Sequence, residues 1–208
     1  WYNKFKYMKR KNIIGIPIKN LKDPMSRLAK TLDKKQRITL QIGLIRNIVE
    51  CFRDNDNDIF LISNDLEIEK LANQLAINYY NTNLLGLNKE VIDFSKNFKN
   101  YQGWVICHSD LPYVTKFFAK TISQEIQGSD ILIAKSKDSG TPFIAGSVNF
   151  SEFKFGVKSF EKHAKFLNEN NFNYKQIYST EFTFELDDEN DYQKFLLNQP
   201  RWFKKLKI

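Results

Sequence analysis

Cysteine is almost missing from this chain. Two residues in 208, Cys51 in a helical pattern and Cys107 in a strand pattern, offer no disulfide framework and fit reduced core thiols in a cytoplasmic setting. No apolar run approaches the roughly 20 residues of a membrane-spanning helix, so no membrane span is expected. The segment Trp1 to Asn12 is basic and aromatic but lacks the apolar stretch and small-residue cleavage site of a secretory signal, and export is not expected. The pattern G-x-x-x-x-G-K-[ST] is absent, which excludes a P-loop. No internal repeat or low-complexity linker interrupts the chain, and 42% hydrophobic content over 208 residues suits one buried core rather than two.

Positive charge, by contrast, is plentiful. A formal net charge of +8 admits a nucleic-acid binder, a surface for anionic small molecules, or a lysine-rich solvated exterior. Lysines are spread along the chain and dense only at Lys4 to Lys11 and from Arg201 to Lys207, neither of which forms a nucleic-acid-binding motif. A noncatalytic nucleic-acid-binding protein using those ends and the 14% aromatic content therefore ranks last, since core packing accounts for most of the aromatics.

Strand-like and helix-like segments alternate from end to end, the pattern of a layered α/β domain with a largely parallel sheet. Asn12 to Pro17 suits a buried first strand and Ile18 to Lys30 a loop. Asp33 caps a helix with apolar positions Ile38, Ile42, Ile45, Val49 and Phe52 at helical spacing. Ile59 to Ser63 reads as a second strand, with Asn64 and Asp65 as caps for the next helix. A strand near Ile77 to Tyr80, a helix from about Lys89, a strand over Trp104 to Cys107, a helix after Pro112 and a strand over Ile131 to Ala134 continue the series. Later, Phe143 to Val148 is extended, Ser159 to Asn170 helical, and Lys175 to Leu186 holds two short extended pieces before a last helix from Asp191. Antiparallel material fits this late stretch.

The chemistry-bearing residues fall where such strands end. Asp110 directly follows the strand ending at Cys107, at the edge where open α/β sheets bind ligands; it is a candidate magnesium ligand or, alternatively, the cap of the helix after Pro112. Glu185 and Asp187 alternate along an extended run and would face one side, towards the metal Asp110 reaches; Asp188 and Glu189 read as a solvated helix start, with Asp191 near the helix N-terminus. Lys19, Ser26 and Arg27 lie in the loop after the first strand, where cations and free amides would receive a triphosphate. Gly86-Leu87-Asn88 offers a tight turn at a helix start. Ser139-Gly140-Thr141 and Phe155-Gly156-Val157-Lys158-Ser159 join glycine to a hydroxyl residue, and Ser159 opens a helix whose N-terminus would attract a carboxylate or phosphate. His163 reads as a surface or packing residue, and His108 has no evident partner for a nucleophile pair.

The ordered set resembles the phospholactate guanylyltransferase family of coenzyme F420 biosynthesis. Ile16-Pro17-Ile18-Lys19 with Ser26-Arg27-Leu28-Ala29 resembles its opening, Gly86-Leu87-Asn88 its nucleotide-side turn, and Asp110-Leu111-Pro112 its metal motif. Gly140-Thr141 and Phe155-Gly156-x-x-Ser159-Phe160 with His163 resemble its acid-substrate motifs, and Glu185-x-Asp187 with Asp191-Tyr192 its closing acidic motif. The resemblance covers roughly Asn12 to Leu197 and implies a single nucleotidyltransferase domain over 12–197, with basic terminal extensions at 1–11 and 198–208. The implied fold is a Rossmann-like, three-layer α/β/α sandwich similar to the nucleotide-diphospho-sugar transferases, or type A glycosyltransferases.

The same resemblance implies GMP transfer from GTP to 2-phospho-L-lactate, phosphoenolpyruvate or 3-phosphoglycerate, with Mg2+ as cofactor. Asp110, Asp187 and Lys19 would be catalytic; Asp110, Glu185 and Asp187 would hold the metal; Ser26, Arg27 and Asn88 would bind GTP. Thr141, Gly156 and Ser159 would bind the acid. Asp-Leu-Pro alone is shared with nucleotidyltransferases acting on sugar phosphates or molybdopterin, which stand as the alternative. Three positions depart from the family pattern: Met25 in place of a lysine, Pro142 in place of an asparagine, and Glu185 in place of an aspartate.

Overall fold

The computed structural model describes residues 11–54, 56–206 and 208. The expected basic segment 1–10 lies outside the described residues. Strand β1 (Asn12–Pro17) is buried along its whole length, with Ile14 and Ile16 on one face and Ile13 on the other, as a strand covered on both sides must be. It pairs in parallel with β2 (Asn57–Ser63) and β4 (Gly103–Cys107), and β2 pairs in parallel with β3 (Asn78–Asn81). Beyond β4 comes β6 (Phe143–Gly146), antiparallel to both β4 and β5 (Ile131–Ala134), while β5 pairs in parallel with β7 (Tyr174–Ile177). The seven-stranded order is β3-β2-β1-β4-β6-β5-β7, with β6 alone reversed.

Helices α1 (Lys34–Phe52), α2 (Leu66–Gln74) and α4 (Lys116–Glu125) contribute to the core on the Ile14 face. On the Ile13 face lie α3 (Leu87–Ser95), α5 (Ser159–Glu169) and an aromatic strap of Phe150, Phe153 and Phe155. Helices on both faces of a mostly parallel sheet make the expected three-layer α/β/α sandwich. No described helix is long and apolar enough to cross a membrane.

Helix α1 begins at a capping box in which Asp33 accepts from the Gln36 N–H and the Gln36 side chain accepts from the Asp33 N–H. Its buried face is wider than the expected stripe: Leu40, Leu44 and Ile48 join Ile45, Val49 and Phe52, while Ile38 and Ile42 are half-buried. The cause is packing on two sides, because Leu40 and Leu44 meet Leu186, Tyr192, Phe195 and Phe203 rather than the sheet. Phe195 belongs to a late helix, Glu189–Leu197, which starts two residues before the expected Asp191 because Asp188 is its cap. The tail beyond Leu197, expected as an extension, packs onto the domain: Phe203 is buried and the Trp202 indole N–H donates to the Pro112 carbonyl at 2.9 Å.

Two further boundaries differ from expectation. The helix after Pro112 starts only at Lys116, with Thr115 capping it. The second extended piece before Leu186 is instead a single helical turn, α6 (Thr180–Thr183), whose Phe182 is buried against Phe143 with ring centroids 4.4 Å apart. The helix Glu189–Leu197 is accordingly α7.

Gly15 sits where α3 presses closest to the sheet. A Cβ there would stand 2.5 Å from the Phe94 ring, 2.8 Å from Ile62 and 2.9 Å from Ile106. Gly15→Ala should therefore destabilise the fold by about 1–3 kcal/mol through overpacking. Urea unfolding measures this directly, and an unchanged midpoint would show that the α3–sheet contact is loose.

Candidate active site

Leaving β4 at Cys107, the chain is held at three points. The His108 N–H donates to the Pro142 carbonyl at 2.9 Å, the Gln41 amide of α1 donates to Ser109 Oγ at 3.1 Å, and the Asp110 carbonyl accepts the Leu186 N–H at 2.9 Å. These tethers fix His108, Ser109 and Asp110 at the carboxyl rim of the parallel strands, where open α/β sheets carry their ligands.

The partner segment follows α6. Leu186 is buried with Leu28, Leu40, Leu44 and Phe195, so backbone alternation turns Glu185 and Asp187 the other way. Their destinations differ. Glu185 joins His108 and Asp110: one ligating atom from each lies within 4.8 Å of the others, and Glu185 Oε1 is 3.7 Å from His108 Nδ1. Asp187 instead forms an ion pair with Arg27. Of the two acids expected to face Asp110's metal, Glu185 is the one brought beside Asp110, and Asp187 stands next to that pair.

This cluster is electrostatically unresolved. Asp110 Oδ1 and His108 Nε2 are buried with no hydrogen-bond partner among the described residues. Burial, then the charge of Glu185, pushes the Asp110 carboxyl up to about 7, against the pull of His108. Burial also disfavours charge on His108, but its bond to Glu185 and the charges of Asp110 and Glu185 outweigh it and raise its proton affinity. Asp187 is raised by burial, a shift that Arg27 opposes. Two half-buried carboxylates, one with a buried oxygen that lacks a partner among the described residues, form a donor set suited to a hard cation.

Two cavities adjoin the cluster. One of about 580 Å³ is bounded by His108, Ser109 and Asp110 on one side and by Asn64, Gly86 and Glu90 on another. The second, about 740 Å³, is walled by Lys22, Ser26, Arg27, Gln41 and Asp187; Ile18, Lys19, Asn20 and Ser109 line both. Lys19, Ser26 and Arg27 are exposed there, the last two on a short 3-10 turn, Ser26–Leu28, that follows Met25 in a left-handed conformation.

Other expected site residues are differently employed. Both ends of the Asn88 amide are bonded to the Phe155 backbone, accepting its N–H at 2.6 Å and donating to its carbonyl at 3.1 Å. That side chain ties the strap to the start of α3. Thr141, Ser159 and His163 form a closed buried network: Thr141 Oγ1 is 3.0 Å from His163 Nδ1 and accepts from the Ser159 hydroxyl at 3.1 Å. At the start of α5 the Ser159 and Phe160 N–H groups already donate to the Gly156 and Ser139 carbonyls, and Glu161 stands in the first turn. The expected carboxylate position there is therefore filled by the chain itself. Of these acid-binding candidates only Gly156 is exposed, at φ 115°.

Several residues at the rim were not expected. His108 was considered only as half of a nucleophile pair; its place two residues before Asp110 at a strand end was the available signal. Gln41 carries none beyond being polar on a buried helix face. Asp191, in the first turn of α7 as expected, is fully buried and held by Lys137 Nζ at 2.5 Å.

Among solved structures the chain is similar to one described as a nucleotide-diphospho-sugar transferase from Desulfovibrio desulfuricans G20, at a TM-score of 0.77 and 14% identity over 94% of this chain and 91% of that one. That likeness concerns the fold alone, an α/β architecture shared over most of both chains. The family described as guanylyl transferase CofC like matches residues 12–201, and the chain belongs to it. The chain is also similar to the 2-phospho-L-lactate guanylyltransferase of Methanobrevibacter smithii, 25% identical over 76% of this chain and 71% of the relative. A phosphoenolpyruvate guanylyltransferase of Thermobaculum terrenum is 23% identical over 71% of this chain and 66% of its own length.

The His163 network sets a pH dependence of stability. Nε2 accepts the Lys154 N–H at 2.9 Å, so the neutral ring fits; burial first, and the nearby positive charges of Lys154, His108 and Lys162, hold its pKa down at about 4, against a bond to Ser159 that raises it. The folded value lies below the unfolded one, so this contribution is complete above about pH 6.5 and is lost as pH falls towards 4. The loss should be on the order of 3 kcal/mol. Urea midpoints from pH 8 to pH 4 should fall less steeply for His163→Gln than for the wild type; parallel curves would remove His163 as the cause.

Proposed function

We propose that this chain transfers GMP from GTP to a small phosphorylated carboxylic acid, releasing pyrophosphate, as a step of coenzyme F420 biosynthesis in the cytoplasm. The acceptor is 2-phospho-L-lactate, phosphoenolpyruvate or 3-phosphoglycerate. One observation carries this reading: Asp110 and Glu185, from distant parts of the chain, meet beside a nucleotide-sized cavity of about 580 Å³, and Asp110 Oδ1 has no hydrogen-bond partner among the described residues.

The donor set fits magnesium, a hard cation, because Asp110 keeps an oxygen without a partner. Asp110 and Glu185 would hold the ion, with Asp187 as a further oxygen donor. When bound, it supplies positive charge against the triphosphate oxygens. Glutamate at position 185 keeps the oxygen chemistry of an aspartate on a longer arm.

An anionic oxygen of the acceptor phosphate attacks the α-phosphorus of GTP in line. A new phosphorus–oxygen bond forms while the bond to the bridging oxygen breaks, and pyrophosphate leaves with that electron pair. The attacking oxygen is already ionised near neutral pH, so neither a side-chain nucleophile nor a general base is required. What the chain supplies is alignment and charge compensation between two polyanions. Lys19, at the junction of the cavities, and Arg27, in the second, would bind triphosphate oxygens. The Arg27–Asp187 pair is substantially exposed, and such pairs are weak, so a triphosphate can take Arg27 from Asp187 at little cost. Asp187 then becomes available to the metal.

Folded protein incubated with GTP, magnesium and each of the three acids should release pyrophosphate with at least one of them. Asp110→Asn should lower turnover at least a hundredfold, on the scale of losing a principal electrostatic group, while keeping the wild-type circular dichroism. No turnover with any acid, or full activity in Asp110→Asn, would contradict the reading.

A further inference from the structure

The 580 Å³ cavity has a direction set by topology. Its wall is drawn from the carboxyl ends of four neighbouring parallel strands in spatial order: Asp110 after β4, Lys19 after β1, Asn64 after β2, and the turn from Leu85 to Glu90 after β3. Neighbouring strands lie about 4.8 Å apart, so the step from β4 to β3 is about 14 Å. That is comparable to a nucleotide measured from its α-phosphorus to the far edge of a purine. With the acids at one end, the Leu85 to Glu90 turn lies where the base would be.

Glu90 is the ionisable group at that end. It stands in the first turn of α3, which Val91 and Phe94 anchor in the core. Its Oε1 accepts the Gly86 N–H at 3.0 Å, and its Oε2 has no partner among the described residues. The carboxylate is therefore held in place with acceptor capacity to spare. Leu85 is 75% exposed at the lip of the same cavity, an apolar surface available to a ring face. Asn88, the expected nucleotide contact, spends one donor and one acceptor of its amide on Phe155.

The chemistry distinguishes the bases. An ionised carboxylate only accepts hydrogen bonds. Guanine offers the N1–H and the N2 amino group side by side. Adenine and cytosine each pair a donor with an acceptor at the corresponding edge, and uracil sets its single N–H between two carbonyls. We infer that Glu90 selects the guanine base of the donor nucleotide, its two oxygens accepting from N1–H and N2 across the cavity from the acid cluster. This rests on the guanylyl-transfer reading and adds to it the residue that makes the donor a guanine nucleotide.

Inosine triphosphate lacks the N2 amino group and xanthosine triphosphate carries a carbonyl in its place, so the two report on this contact. Binding of GTP, ITP and XTP to the full chain with magnesium is measured by calorimetry, alongside pyrophosphate release with the three acids. Wild type should prefer GTP over both analogues. Glu90→Gln keeps an acceptor for the Gly86 N–H and for N1–H but replaces the other with a donor, so GTP should weaken at least tenfold and XTP tighten. Glu90→Ala should bind GTP and ITP alike. Melting curves establish that each variant is folded, and Glu90→Gln decides if Glu90→Ala is not. A wild-type preference for GTP that survives in Glu90→Gln overturns the inference, as does a wild type that uses GTP and ATP equally; both leave nucleotidyl transfer standing. No pyrophosphate from wild type with any donor and acid would remove guanylyl transfer itself, and this inference with it.

Discussion

One carboxylate oxygen of Asp110, buried with no partner among the described residues, sets the constraint on the rim of the sheet. Burial and a second acid facing it push the Asp110 carboxyl up to about 7. Folding alone gives no reason to keep such a pair, since like charges in a desolvated site oppose their own ionisation. The cost is tolerated because the surroundings over-determine the geometry. Gln41 holds Ser109, Pro142 holds His108, and the Leu186 amide, fixed by its own buried side chain, holds the Asp110 backbone. A site set by so many tethers is preorganised for charge that arrives with a substrate.

The same tethers explain why the late part of the chain departs from simple β-α alternation. The reversed β6 places Pro142 against His108, and the α6 turn, stapled by Phe182 on Phe143, delivers the 185–187 segment to the rim. Leu186 then divides the two acids from the core. Arg27 and Asp187, paired with each other, both line the second cavity and join the loop after β1 to the closing acidic segment. Cations and anions are thus arranged around one rim rather than scattered over a basic surface.

Much of the fold was legible in the sequence because the buried strands are short apolar runs with one reading each: Asn12 to Pro17 and Ile131 to Ala134 coincide with β1 and β5. Asp33 was legible as a cap because capping is local. The α6 turn was not, since Phe182 and Phe184 have the spacing of a strand and become a helical turn only through packing on Phe143. At the site, Asp110 stood out by its place after a strand. Which of Glu185 and Asp187 would meet it was not legible, because alternation puts both on one side and only the position of Arg27 separates them. Thr141 and Ser159 carry the residue types of an anion site, yet His163 draws them into a closed network through contacts that no local pattern announces.

On the proposed reading, Asp110 and Glu185, half-buried and close together beside His108, would share one divalent ion. Crystals grown with GTP and manganese in place of magnesium test it most directly, since anomalous scattering locates the metal independently of the phases of the protein. The account predicts a single strong peak in contact with carboxylate oxygens of both Asp110 and Glu185. A bound nucleotide whose metal touches neither residue would contradict it.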